Sequence, residues 1–135
     1  MKPVVKDSAK IARILLVEDE FLIAEWVAES LSEQGFAVHI AGNATAALRY
    51  LAAAPVEALV TDINLPGGMD GMALARRARE MLPLLPVIYA SAGLPTQDAE
   101  ARVPGAIFLR KPYEPEAAGR LLAGLVKPAG VAIPA

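Results

Sequence analysis

The fold of this chain is decided by residues 60–71, which read VTDINLPGGMDG. An apolar run at 58–60 leads to the single acid Asp62, and a loop rich in proline and glycine follows before a helical pattern begins. This pattern predicts a buried strand that carries Asp62 to its carboxyl end, then a loop and a helix. Ligands of open α/β sheets bind outside those strand ends, so an acid there is well placed for chemistry. Aspartate is also common in turns, so Asp62 could have a purely structural role. The residues that end the other predicted strands distinguish between these two possibilities.

Four further apolar runs alternate with helical patterns along the chain. Strands are predicted at 13–17, 36–40, 58–61, 86–90 and 106–109, and helices at 21–33, 44–54, 70–81, 94–102 and 114–126. Strict alternation of this kind predicts an α/β fold, a doubly wound five-stranded parallel sheet with helices on both faces, in three layers. The pattern fills residues 13–126 as one domain and leaves 1–12 and 127–135 as tails.

The composition excludes several classes of protein. The formal net charge of −2 argues against nucleic acid or an anionic membrane as a direct partner. The absence of cysteine excludes disulfides, thiolate metal sites and a cysteine nucleophile. No apolar run approaches the ~20 residues of a membrane span, and no signal peptide is visible, so we expect a cytoplasmic protein.

Polar side chains follow four of the predicted strands. They are Glu18 and Asp19 after the first strand, Asp62 after the third, Ser91 after the fourth and Lys111 after the fifth. The carboxyl ends of parallel strands share one edge, so these side chains are expected to converge. Crowded carboxylates raise one another's pKa, and a lysine with a divalent cation would neutralise them. Ligands that offer only oxygen favour Mg²⁺.

Such a site is suited to accepting a phosphoryl group. Mg²⁺ and Lys111 would neutralise the transferring oxygens, Ser91 would donate a hydrogen bond and Asp62 would attack phosphorus. Each of these residues alone is a weak signal, but their convergence from separate strand ends is a strong one.

Four motifs resemble the receiver domains of the two-component response-regulator family over residues 13–126. They are VEDE at 17–20, TDINLPGGMDG at 61–71, PVIYASA at 86–92 and FLRKPY at 108–113. The resemblance implies a flavodoxin-like sheet with strand order 2-1-3-4-5, the order of the chemotaxis regulator. It also implies that Asp62 is the phosphoacceptor.

The resemblance further assigns a metal site and a switch. Mg²⁺ would be bound by Asp19, Asp62 and the backbone carbonyl of Asn64, with Glu18 acting through water. Lys111 would pair with the phosphoryl group, and Ser91 would follow that group as it arrives. Phe108 would be the aromatic switch residue.

The implied function is that of a stand-alone, single-domain response regulator. It would take a phosphoryl group from a histidine kinase or phosphotransfer protein onto Asp62, with Mg²⁺, and so change its binding to a downstream partner. It would not be an enzyme beyond its own phosphorylation and dephosphorylation. The oligomeric state is left open.

Three alternatives are open at this point. The chain could be a receiver separated from a hybrid histidine kinase. It could also be a magnesium-dependent phosphohydrolase, although that class needs a second acid two positions after the nucleophile, where Asn64 stands. A flavin-binding module of the same topology is disfavoured because the acidic motif at 17–20 would repel the flavin phosphate.

Two aromatic residues of the first helix receive separate predictions. Phe21 points away from the stripe formed by Ile23, Val27 and Leu31, so we expect it to be exposed beside the acidic residues. Our hypothesis is that it helps to dock the helix of the donor histidine. Trp26 is expected to pack at the edge of the core.

Overall fold

Five parallel strands form one sheet in the order β2-β1-β3-β4-β5 in the computed structural model, which describes residues 11–93 and 102–126. The strands are β1 (Arg13–Val17), β2 (Ala37–Ala41), β3 (Ala58–Asp62), β4 (Val87–Ser91) and β5 (Ile107–Arg110). Every neighbouring pair is parallel. The predicted doubly wound α/β fold and its strand order are therefore confirmed.

Four helices connect or follow these strands within the described residues. They are α1 (Phe21–Glu33), α2 (Ala44–Ala53), α3 (Gly71–Met81) and α4 (Pro115–Leu125). Asn43 caps α2, because its side chain accepts a hydrogen bond from the Ala46 N–H at 2.8 Å. The helix predicted at 94–102 lies, apart from its last residue, outside the described residues.

Each face of the sheet is covered by two of the described helices. Alternating strand residues such as Leu15 and Leu59 contact α2 and α3 on one face. Their neighbours Ile14 and Val60 contact α1 and α4 on the other. The central strands β1 and β3 are buried from residue 14 to 17 and from 58 to 62. This burial on both faces explains their continuous apolar sequences and gives a firm support to the sheet edge that bears Asp62.

Three strands begin one residue later than the sequence predicts, for reasons of hydrogen bonding. The N–H of Phe36 bonds to Leu31 O at 3.1 Å and so belongs to the turn that ends α1. Pro86 has no N–H to donate to the sheet. The N–H of Ala106 bonds to Val103 O at 3.2 Å, within the turn before β5. Hydrophobicity alone does not reveal these local partners.

The loop after β3 brings α3 very close to the end of that strand. Gly67 and Gly68 have φ values of 95° and 93°, a region that favours glycine. The N–H of Gly71 donates to Ile63 O at 2.7 Å. A Cβ atom on Gly71 would collide with the backbone carbonyl of Asp62. Glycine at position 71 therefore lets α3 begin directly against the peptide of Asp62.

Candidate functional site

One lysine is shared by two buried carboxylates at the carboxyl edge of the sheet. The Nζ atom of Lys111 lies 3.1 Å from Oε1 of Glu18 and 3.1 Å from Oδ1 of Asp62. Glu18 is 4% exposed and Asp62 is 6% exposed. These three residues follow or end β1, β3 and β5, so the structure brings them together as the sequence predicted.

The carboxylates are held in an environment that opposes negative charge. The pKa of Asp62 is raised from 3.8 to about 7; burial is the largest cause and the charge of Glu18 adds to the rise, while Lys111 opposes it. Desolvation lowers the pKa of Lys111, but its hydrogen bonds and charge interactions with Asp62 and Glu18 outweigh this effect and leave the pKa raised. One ammonium is therefore not enough to stabilise both anions, and the site favours further positive charge.

Asp19 adds a third carboxylate on the solvent side of this pair. Carboxylate oxygens of Glu18, Asp19 and Asp62 lie within 4.8 Å of one another. Glu18 is oriented by the N–H of Glu20, which donates to its Oε2 at 3.1 Å. An all-oxygen donor set with one exposed ligand fits Mg²⁺, which keeps several waters and is bound through one or two carboxylates. We refer to these three carboxylates as the acidic pocket.

Asn64 lies in the exposed loop two residues beyond Asp62. Its position along the chain agrees with the predicted role of its backbone carbonyl as a metal ligand. That role stays a prediction, and so does the action of Glu18 through water.

Ser91 ends β4 beside the strand that carries Asp62. In the β3–β4 register Asp62 is paired with Ala90, the residue before Ser91. The Oγ atom of Ser91 accepts a hydrogen bond from the N–H of Gly93 at 3.2 Å. Its backbone carbonyl accepts one from the N–H of Lys111 at 2.9 Å. Ser91 is thus fixed next to Lys111, and its contact with a phosphoryl group stays a prediction.

Phe108 is half-buried on β5 and contacts two side chains that the sequence analysis did not single out. Its ring centroid is 5.2 Å from that of Tyr89, at an interplanar angle of 37°. The Cζ atom of Arg102 lies 5.3 Å from the centroid of the same ring. Tyr89 is completely buried, and its Oη accepts a hydrogen bond from the N–H of Val103 at 3.1 Å. A tyrosine inside a buried strand was the available signal, because its hydroxyl needs a partner.

An apolar cavity of about 350 Å³ opens beside Lys111. Its walls include Ile23, Trp26, Val27, Ala92, Lys111 and Tyr113. Burial raises the pKa of Tyr113, and the charges of Asp62 and Glu18 raise it further, so this phenol senses the acidic pocket. Sequence reasoning missed Tyr113, although it directly follows the Lys111-Pro112 pair of the FLRKPY motif.

The predicted packing of Trp26 at the edge of the core is wrong, whereas the predicted exposure of Phe21 is confirmed; the docking role of Phe21 stays a hypothesis. Trp26 is 54% exposed and Phe21 is 68% exposed. The residues of α1 that reach the core are Ala24, Val27 and Leu31. Trp26 is turned about 100° around the helix axis from Val27, which places it at the wall of the cavity and not in the core.

No helix in the described ranges 11–93 and 102–126 combines the length and the apolar character that a membrane span requires. This finding agrees with the sequence, in which no long apolar run occurs.

Comparison with known proteins finds relatives among response regulators and transcriptional regulatory proteins. The chain is 36% identical to the transcriptional regulatory protein TctD of Salmonella typhimurium over 120 residues. This aligned region covers 85% of this chain and 52% of TctD. An NtrX-like response regulator of Rickettsia conorii is 39% identical over 79 residues, covering 58% of this chain and 17% of that protein. The chain thus spans about half, or less, of the length of these relatives.

A solved structure of a receiver protein has the same fold as this chain. The response regulator receiver protein from Sinorhizobium medicae superposes with a TM-score of 0.81 at 30% identity, covering 87% of this chain and 95% of that one. The family of response regulator receiver domains matches residues 14–121. With this match over most of its length, and with an acidic pocket and a lysine at the sheet edge, the chain belongs to the family of response regulator receiver domains.

Proposed function

We propose that this receiver domain accepts a phosphoryl group on Asp62, in a magnesium-dependent reaction, from a phosphohistidine of a histidine kinase or phosphotransfer protein. The phosphorylated form then differs from the free form in its affinity for a downstream partner. The observation that carries the proposal is the sharing of one ammonium, at 3.1 Å each, between the buried carboxylates of Glu18 and Asp62. The proposal concerns the domain, and it is the same for a stand-alone regulator and for a receiver within a hybrid kinase.

Asp62 is suited to be the nucleophile because it is the buried acid that touches Lys111 at the end of the central strand β3. In the transfer, an oxygen of Asp62 forms a bond to phosphorus while the bond from phosphorus to the donor imidazole nitrogen breaks. The imidazole nitrogen keeps that electron pair and takes a proton from solvent. Asp62 must be ionised to attack, and Lys111 favours the ionised form.

The other residues of the site stabilise the charge that is transferred. Mg²⁺, held by the carboxylates of Asp19 and Asp62, would supply positive charge beside the transferring oxygens. Lys111 turns its Nζ from the carboxylate of Asp62 to a phosphoryl oxygen. The hydroxyl of Ser91 donates a hydrogen bond to another phosphoryl oxygen. Phe108 then changes its position on β5, which alters the surface that a partner meets.

We further propose that α1 forms the docking surface for the phosphodonor. Phe21 is 68% exposed and Leu22 is 79% exposed at the helix start that follows the acidic pocket. Trp26 lies one turn beyond Leu22 on the same helix and is also exposed. A partner helix with apolar side chains, laid across these residues, would bring its phosphohistidine near Asp62. A Phe21→Ala variant is expected to accept phosphate more slowly from its kinase and at an unchanged rate from acetyl phosphate.

The direct test is phosphorylation by acetyl phosphate with Mg²⁺, followed by intact mass measurement. We expect one added phosphoryl group on the wild type and none on Asp62→Asn. The matched control is Asp70→Asn, which replaces an exposed acid at the start of α3 and is expected to keep the label. A label on Asp62→Asn, or none on the wild type, would contradict the proposal.

A turnover measurement separates this function from phosphoester hydrolysis. A receiver gives a stoichiometric label that is lost slowly, because its chemistry is confined to its own phosphorylation and dephosphorylation. Many cycles of hydrolysis of a generic ester such as p-nitrophenyl phosphate would favour a phosphohydrolase instead. Asn64 stands where that class requires its second acid.

A further inference from the structure

We propose that Arg102 is a positioning residue that holds Phe108 against Tyr89 and so sets how readily Phe108 moves when the site is phosphorylated. The inference rests on the function proposed above, and it adds a residue that lies outside the acidic pocket and outside every motif of the sequence analysis. It derives from two contacts to the ring of Phe108 and from the hydrogen bond between Val103 and Tyr89.

The ring of Phe108 is contacted by a cation and by a second ring. The guanidinium carbon of Arg102 lies 5.3 Å from its centroid, within the range of about 6 Å over which a cation is attracted to an aromatic face. Tyr89 lies at 5.2 Å with a tilted ring, a favourable geometry for an aromatic pair. Phe108 can leave this position only by giving up one or both contacts.

The backbone next to Arg102 is fixed by hydrogen bonds to side chains of β4 and α3. The N–H of Val103 donates to the hydroxyl of Tyr89 at 3.1 Å. The guanidinium of Arg79 donates to the carbonyl of Pro104 at 2.8 Å and to that of Leu85 at 2.7 Å. The chain that follows Arg102 is therefore tied both to β4 and to α3. This anchoring keeps the side chain of Arg102 above the ring.

Tyr89 contacts both Phe108 and the backbone next to Arg102. It is the register partner of Phe108 in the β4–β5 pair, and its hydroxyl fixes the residue that follows Arg102. It also lies two residues before Ser91 on the same strand, so both side chains leave the same face of the sheet. Tyr89 thus lies between Ser91 and Phe108, and a movement of either side chain would affect the packing of this buried residue.

The expected size of the effect follows from the contact. A cation over an aromatic ring at an exposed position changes an equilibrium by about two- to five-fold. Loss of the Arg102 charge should therefore raise, by about that factor, the ratio of displaced to held Phe108. A ligand that requires the displaced position would bind tighter by the same factor while that position is the minor one.

The test uses NMR of the full chain labelled with ring-¹³C phenylalanine. The chain has three phenylalanines, and a Phe108→Leu variant assigns the signal of interest. Spectra are recorded without ligand and with Mg²⁺ and beryllofluoride, a mimic of the phosphoryl group whose binding is followed by its own ¹⁹F signal. In Arg102→Met, the ligand-free Phe108 signal should move toward its beryllofluoride position, and beryllofluoride should bind about two- to five-fold tighter.

Two variants separate the cation from other effects of the substitution. Arg102→Lys keeps a cation and is expected to resemble the wild type. Arg77→Met removes a charge from α3, where Arg77 lies 3.9 Å from Glu80, and should also leave Phe108 unchanged. The inference is overturned if Arg102→Met matches the wild type, or if Arg102→Lys shifts the signal as much as Arg102→Met.

The proposed function fails in a different way in the same experiment. If the wild type shows no bound beryllofluoride signal in the presence of Mg²⁺, the acidic pocket is not a phosphoryl site, and the role of Arg102 in switching is overturned with it. If beryllofluoride binds but Phe108 does not move, the proposed phosphorylation site stands and the inference alone is wrong.

Discussion

Replacing Asp62 by asparagine is expected to stabilise the metal-free protein at pH 8. The pKa of Asp62 is raised from 3.8 to about 7, mainly by burial and in part by the charge of Glu18, with Lys111 opposing the rise. A rise of this size corresponds to about 4 kcal/mol of unfavourable free energy for the ionised form in the folded state, as an upper bound. Asparagine has nearly the same shape and carries no charge, so it escapes this cost.

The sign of the pH dependence follows from linkage. Because the pKa of Asp62 is higher in the folded state than in the unfolded state, its contribution to stability is fully present below pH 3.8. That contribution is lost as the pH rises through about 7. The stability advantage of Asp62→Asn should therefore shrink by about 3 kcal/mol when the pH falls from 8 to 5.

Urea denaturation in the presence of EDTA, followed by circular dichroism at pH 5 and pH 8, measures this difference. The dependence of the free energy of unfolding on urea should be equal in both proteins, because the same surface becomes exposed. Asp70→Asn serves as a control that removes an exposed carboxylate, because an asparagine can keep the hydrogen bond that Asp70 accepts from the N–H of Ala73 at the start of α3. The reasoning is refuted if Asp62→Asn is no more stable than the wild type at pH 8, or if its advantage is the same at both values of pH.

Three further predictions concern residues around Asp62. Lys111→Met leaves two buried carboxylates without their cation and should cost about 3–5 kcal/mol in EDTA, with part of the loss recovered by Mg²⁺ in the same denaturation assay. Glu18→Gln removes one charge of the acidic pocket and should weaken Mg²⁺ binding about 10-fold or more, measured by titration calorimetry. Gly71→Ala introduces a Cβ atom that collides with the carbonyl of Asp62. It should lower stability by about 1–3 kcal/mol, whereas Gly42→Ala, at an open position, should be nearly neutral.

The fold could be predicted because burial of the central strands leaves a clear mark in the sequence. Residues 14–17 and 58–60 are apolar without interruption, and the structure buries them on both faces. The end of β3 could be placed as well, because Asp62 interrupts such a run. The convergence of Glu18, Asp62 and Lys111 then follows from the parallel arrangement alone, since all three lie at one edge of the sheet.

The surroundings of Phe108 and Trp26 could not be predicted, because they depend on distances between separate elements. Periodicity tells which face of a helix a residue occupies, but not how far the neighbouring loop extends over that face. Trp26 is exposed for this reason, at the wall of a cavity that Tyr113 completes from the far end of the chain. The contact of Arg102 with Phe108 likewise requires a turn whose shape is set by a hydrogen bond to Tyr89.

The position of Lys111 gives the proposed switch its physical basis. Its ammonium is equally close to Glu18 and Asp62, so any new anion bonded to Asp62 must compete with Glu18 for the same three N–H donors. In the proposed function, a phosphoryl group would add charge and bulk on the Asp62 side only, and we expect it to draw Lys111 and the hydroxyl of Ser91 toward itself. The backbone of Ser91 is already bonded to that of Lys111, so the ends of β4 and β5 cannot respond independently. We therefore expect a local change of charge at Asp62 to be transmitted along the two strands that carry Tyr89 and Phe108.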